Sequence, residues 1–164
     1  MGDTMSNLGA AFAGESQANR RYLAYAKKAE EEGYPEVARR FRVAAASETV
    51  HAHAHLKVMG ELKSTAENLQ ASVGGENYEH VTMYPEFMQL AIDEGNEDAR
   101  FSFYAANEAE KFHEKMFAEA LGDLTNTPKK NFFVCEVCGM TYENETPNAG
   151  VGCSAPKYRI HEVL

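Results

Sequence analysis

From Ser6 to Leu121 apolar and charged positions are interleaved, and the stretch is rich in Ala, Glu, Arg, Lys and Met with few strand-like runs. That is the patterning and the composition of helices. Punctuation divides it into four long segments. The first runs from Thr4 to Glu32 and stops at Gly33; Pro35 suits the first turn of the second, which runs to Met59 and ends at Gly60. A third lies between Ala66 and Glu94, with an interruption or irregularity expected near Gly74 and Gly75, and Gly95 ends it. The fourth spans Glu97 to Leu121 and ends at Gly122. Short turns at Gly33 and Gly95 predict antiparallel helical hairpins, and the stretch from Gly60 to Gly75 reads as a crossover.

The pattern changes after Gly122. Gly122 to Asn131, with Thr-Asn-Thr-Pro-Lys-Lys, reads as a linker. FFVCEVCGMTYENETP then has the β-branched and aromatic content of short strands around a Cys-x-x-Cys turn. Residues 132–164 are too few to build a core unaided, so a metal staple is expected there. The predicted organisation is an all-α four-helix domain over 1–122, a linker over 123–131 and a small β and metal-knuckle domain over 132–164.

An internal repeat supports the helical reading. A shift of 62 carries Tyr22 onto Tyr84, Gly33 onto Gly95, Phe41 onto Phe103, Glu48 onto Glu110 and His51 onto His113. A duplicated hairpin makes a pseudo-twofold bundle, and a site on its axis receives matching ligands from both halves.

The chemistry lies in two Glu-x-x-His pairs, Glu48 with His51 and Glu110 with His113. At i and i+3 both side chains leave one helix face, and carboxylate with imidazole suits iron or manganese. One such pair is a common accident in a Glu-rich helix; two, equivalent under one repeat, are not. Glu15 stands in the small and apolar setting Ala-Phe-Ala-Gly-Glu-Ser, which suggests burial. Glu76 and Glu79 are again i and i+3, and the shift of 62 places Glu15 opposite Asn77, between them. Buried carboxylates are costly unless paired or coordinated, so metal explains them. Tyr22 lies two turns beyond Glu15 and Tyr84 lies five residues beyond Glu79, where each could hydrogen-bond a carboxylate ligand or simply pack in the core. His53 and His55 continue a His-Ala-His-Ala-His string, but residues i and i+2 of a helix point about 200° apart, so His53 reads as exposed, and His55 reads as a less favoured ligand than His51. Met59, Met83, Met88 and Met116 are simplest as packing residues.

Cys135-Glu-Val-Cys138-Gly139 has the spacing of a metal knuckle, and Cys153 supplies a third thiol. The partner of a second Cys-x-x-Cys would stand at Gly150. A non-cysteine ligand (His161 is the nearby histidine), water, or an impaired site are the alternatives, with iron or zinc as the metal, incompletely ligated or absent.

Composition narrows the partners. A formal charge of −9 over 164 residues argues against nucleic acid and anionic membranes. No apolar run reaches the roughly 18 residues of a membrane span, and the N-terminus lacks the order of a secretory signal. Three cysteines with one Cys-x-x-Cys read as a metal site in a reducing, cytoplasmic compartment.

FAGESQANRRY, SETVHAHA, GGENYEHVTMYPEF, AEKFHEKMF, FFVCEVCGMTYE and CSAPK together resemble the rubrerythrins over nearly the whole chain. The resemblance implies a ferritin-like four-helix bundle with a non-haem diiron centre and a C-terminal rubredoxin-like domain. It implies Glu15, Glu48, His51, Glu76, Glu79, Glu110 and His113 as ligands of two irons, with iron moving between Glu76 and His51. Tyr22 and Tyr84 match tyrosines beside that centre, and Cys135, Cys138 and Cys153 match three of four tail cysteines, the fourth falling at Gly150. The implied activity is reduction of hydrogen peroxide to water in oxidative-stress defence, with electrons from rubredoxin or an NAD(P)H-dependent reductase entering through the tail. A head-to-tail homodimer or higher oligomer, one tail near the other subunit's irons, is implied as well. The alternative is a ferroxidase or iron-binding protein with little peroxidase turnover.

Overall fold

The computed structural model describes residues 2–150 and 152–164. It has two compact units, 1–63 and 64–164. The first is a hairpin of α1 (Thr4–Glu31) and α2 (Pro35–Val58). The second contains α3 (Thr65–Tyr78), a π-helical turn (Glu79–Met83), α4 (Tyr84–Asp93) and α5 (Glu97–Gly122). It continues into β1 (Phe132–Cys135), β2 (Thr141–Glu143), a 3-10 turn (Lys157–Arg159) and β3 (Ile160–Val163). No helix among the described residues is long and apolar enough to cross a membrane.

The two hairpin turns are built alike. Gly33 (φ +83°) and Gly95 (φ +68°) take the left-handed conformation that other residues resist. The next N–H reaches back five residues, from Tyr34 to the Ala29 carbonyl and from Asn96 to that of Ala91, both at 2.8 Å. In the first unit small residues bring the helices together. Asn19 and Ala26 on α1, and Ala38, Ala45 and Ala52 on α2, are buried at intervals of seven. The Asn19 amide donates to the Ala45 carbonyl (2.7 Å) and to Thr49 Oγ1 (2.8 Å), so the one large polar group in this seam is satisfied.

Two expectations are corrected. The crossover does not extend to Gly75: Ser64 and Glu67 form a reciprocal capping box that starts α3 at Thr65, leaving a short link over residues 59–64. The helix also runs unbroken through Gly74 and Gly75, and the irregularity is the π turn after them. Pro85 explains its place. Proline has no N–H to donate and crowds the carbonyl one turn back, and the helix widens just before it, with the Tyr84 N–H bonding the Glu79 carbonyl five residues earlier.

The tail is an antiparallel sheet in the order β2-β1-β3, pairing Val134 with Thr141 on one side and with His161 on the other. Fully buried Cys135 anchors a small core with Ala155 and Ile160. The tail rests on its own chain's α5. Phe132 packs edge-on to Phe112 at 6.4 Å between centroids, and Lys130 pairs with Glu119 (2.5 Å) and Glu143 (3.1 Å). The linker before it is ordered by Asp123, whose carboxylate accepts from the Thr125 and Asn126 N–H groups.

Candidate metal centres

Each unit gathers two carboxylates and an imidazole. In the first, Glu15 from α1 meets Glu48 and His51 from α2; in the second, Glu76 from α3 meets Glu110 and His113 from α5, with ligand atoms in each set within 4.8 Å of one another. His51 Nδ1 is 3.0 Å from Glu48 Oε2 and 4.0 Å from Glu15 Oε1. His113 Nδ1 is 2.6 Å from Glu110 Oε2 and 3.7 Å from Glu76 Oε2. Ligands held about 2.1 Å from one ion stand about 3 to 4 Å apart, so both sets fit a cation with little movement.

The π turn explains the ligand register. Before it the repeat is 61 residues, carrying the helix start Thr4 onto Thr65 and Glu15 onto Glu76; after it the repeat is 62, carrying Tyr22 onto Tyr84. A π turn adds one residue to a helix, and such turns occur often at functional sites. Glu76 is therefore the true counterpart of Glu15, and Glu79, the first residue of the π turn, is the additional carboxylate.

Electrostatics mark the same groups. The Glu15 carboxyl is raised above its ordinary range, first by its hydrogen bond with Glu48, then by burial; Glu48 is held low by Glu15 and by His51. Burial raises Glu76, with the Glu110 charge adding to it, and burial together with the Glu76 charge raises Glu79. The carboxyls raised in this way, Glu15, Glu76 and Glu79, hold protons more readily than free ones when no cation is bound.

Of the two roles open to the tyrosines, packing is the one seen. Neither hydroxyl hydrogen-bonds a carboxylate among the described residues; instead the rings pack. Tyr22 lies over Phe41 at 6.1 Å and Tyr84 beside Phe103 at 6.3 Å, a repeat-related pair. Tyr84 still senses the site: burial and the charges of Glu79, Glu110 and Glu76 raise its phenol. His53 is exposed, as its helical angle requires. Three residues with no local sequence signal also belong here. His80 Nε2 meets Glu114 Oε2 at 2.5 Å, where Asn77 also donates (3.0 Å), pinning the π turn to α5.

In the tail, Cys135, Cys138 and Cys153 converge, with 3.7 Å between the sulfurs of Cys135 and Cys153. Two thiolates about 2.3 Å from one tetrahedral ion stand about 3.8 Å apart, so the spacing fits a metal edge. Burial opposes the Cys135 thiolate, but the Val137 and Cys138 N–H groups and the neighbouring Cys138 and Cys153 thiols together lower its pKa. Burial pushes Cys138 up to about 12. Gly139 takes φ +77°, as the knuckle turn demands. His161 does not gather with the three cysteines: its Nε2 is 3.5 Å from Glu136 Oε2, on the sheet edge with Arg159. At Gly150 an added Cβ would lie 2.6 Å from Cys153 Sγ, so that sulfur fills the room of the absent side chain.

The rubrerythrin family model matches residues 6–121. The chain belongs to the rubrerythrin family. Nigerythrin of Nitratidesulfovibrio vulgaris is 33% identical over 96% of this chain and 85% of its own length. A putative rubrerythrin of Methanocaldococcus jannaschii is 35% identical over 96% of this chain and 91% of its own. The structure of fully reduced, all-ferrous nigerythrin superposes with a TM-score of 0.57 at 32% identity, covering 99% of this chain and 88% of that one. The family is one of diiron oxidoreductases of oxidative-stress defence, and the fold class, helices with a rubredoxin-like tail, is that of this chain.

Proposed function

We propose that this rubrerythrin is a non-haem diiron peroxidase that reduces hydrogen peroxide to two waters with two electrons and two protons. The reading is carried by the two repeat-related sets of Glu, Glu and His, each of the size and chemistry to hold one iron. Glu15, Glu48 and His51 hold one iron, and Glu76, Glu110 and His113 hold the other, with Glu79 as the further carboxylate. Bound iron supplies the electrons and a Lewis-acidic place for peroxide. The protein supplies the rest. Each imidazole presents Nδ1 to its carboxylates. Acidic ligands keep the ferric state compensated in charge. Tyr84 retains its phenolic proton at neutral pH, because burial and three nearby carboxylates disfavour the phenolate, so it remains a neutral donor. Electrons enter through the tail thiolates from rubredoxin or an NAD(P)H-dependent reductase, and the chain works in the cytoplasm as a homodimer or larger homo-oligomer.

Iron-loaded protein prepared without oxygen should consume peroxide steadily with reduced rubredoxin as donor. Turnover no faster than that of free iron overturns the peroxidase. Gly150 favours a second reading, a ferroxidase with little peroxidase turnover, because a three-thiolate tail is a weaker electron entry than four thiolates. Rapid oxidation of added ferrous iron by oxygen, with no donor-dependent peroxide turnover, would select it.

A further inference from the structure

His113 and His51 are equivalent in the repeat but not in their surroundings. Both aim Nδ1 at carboxylates. The Nε2 of His51 meets no partner among the described residues, and its side chain is 53% exposed. The Nε2 of His113 lies 2.9 Å from Thr141 Oγ1. Thr141 is buried (7% exposed), opens β2, and comes from the tail rather than from a helix. Its backbone is held in turn by the thiolate knuckle: the Cys135 N–H donates to the carbonyl of neighbouring Met140 at 3.0 Å, and Val134 pairs with Thr141.

An imidazole that gives Nδ1 to a metal carries its proton on Nε2, and a partner there fixes both tautomer and ring plane. A threonine hydroxyl does this well, since it accepts from Nε2–H when metal is bound and rotates to donate when it is not. We propose that Thr141 is the positioning residue of His113, so that the folded tail is a structural part of the second Glu-Glu-His site and its docking is linked to metal binding there. The inference rests on the reading of His113 as a metal ligand. Linkage is reciprocal: what loosens the tail weakens the site, and metal in the site secures the tail. The first set, with His51 unbraced, is outside this control.

The test uses the full chain, metal-free, titrated with Co2+ and followed by its ligand-field absorption, in wild type, T141V and T141S. Sulfur-to-cobalt charge-transfer bands report independently that the tail is folded in each. With those bands unchanged, T141V should weaken one of the two carboxylate-histidine sites by about 10–100-fold, the usual cost of losing a hydrogen bond to a ligating imidazole. T141S, which keeps the hydroxyl, should retain wild-type affinity. The His113 Nε2–H resonance of the metal-loaded protein should lose its protection from solvent exchange in T141V alone. Unchanged affinity in T141V, or a T141S as weak as T141V, overturns the inference by itself. Failure of the wild-type bundle to bind Co2+ overturns the metal-site reading together with it.

Discussion

Single positions decide how closely this protein can be assembled and how well it can hold metal. Ala38 has no exposed surface and packs against Ala26 and Ala29 at the α1–α2 seam. A38L should cost about 1–3 kcal/mol through overpacking, measured as a lower midpoint in urea with an unchanged slope. Gly150 has the opposite character, an absence that can be filled. A Cβ there would lie 2.6 Å from Cys153 Sγ and 3.3 Å from both the Ala155 Cβ and its backbone N, so once Cys153 turns aside and the Ala155 segment gives by a few tenths of an ångström a fourth thiol has room beside the other three. G150C should therefore complete a tetrathiolate site, with Co2+ charge-transfer intensity rising by about a third for four ligands instead of three and slower loss of metal to a chelator. If intensity and chelator rate stay at wild-type values, the side chain at 150 does not reach the metal.

At the scale of elements, the π turn inside the second half is what distinguishes it from the first. His80 and Asn77 hydrogen-bond Glu114 and lower its pKa below the ordinary 4.5. A lowered carboxylate stabilises the fold above its ordinary value and loses that contribution as pH falls through the lowered one. E114Q should thus unfold at a lower temperature than wild type at neutral pH, and the gap should narrow in acid below pH 4.5, as followed by circular dichroism. A gap constant with pH would remove the ionic character of this clasp. The same turn shows what could be read in advance. The helices, the hairpin glycines and the Glu-x-x-His pairs are written locally, in periodicity and spacing, and the structure has them. The capping box at Ser64 was equally local, and Ser-x-x-Glu before a helical run was its available signal. The offset of Glu15 from Glu76 required the π turn, whose only trace is Pro85. The contacts of Glu114 with His80 and of Thr141 with His113 join residues 34 and 28 apart, for which a single sequence carries no mark.

For the whole molecule, metal and proton compete for the same carboxylates in two units of a chain that carries a charge of −9. Glu15, Glu76 and Glu79 have raised pKa values in the metal-free fold, against one ligand, Glu48, that is lowered. A carboxyl raised by folding stabilises the fold when protonated; that contribution is full below its ordinary pKa and is lost as pH rises through the raised value. The metal-free protein should accordingly be least favoured near neutrality, where these groups repel. Metal acts in reverse, because ligands must be deprotonated to bind it. At neutral pH, free metal at about 100 times its dissociation constant adds about 2.7 kcal/mol per site, or roughly 5–11 °C in melting temperature for a chain of this size. Calorimetry of loaded and metal-free protein should show that difference shrinking as pH is lowered from 7 through the region just above 4.5. E79Q, which removes one competing proton site while leaving both Glu-Glu-His sets, should keep most of the difference at pH 7. A metal-induced gain that is flat with pH would show that the stabilising cation binds elsewhere than at these carboxylates.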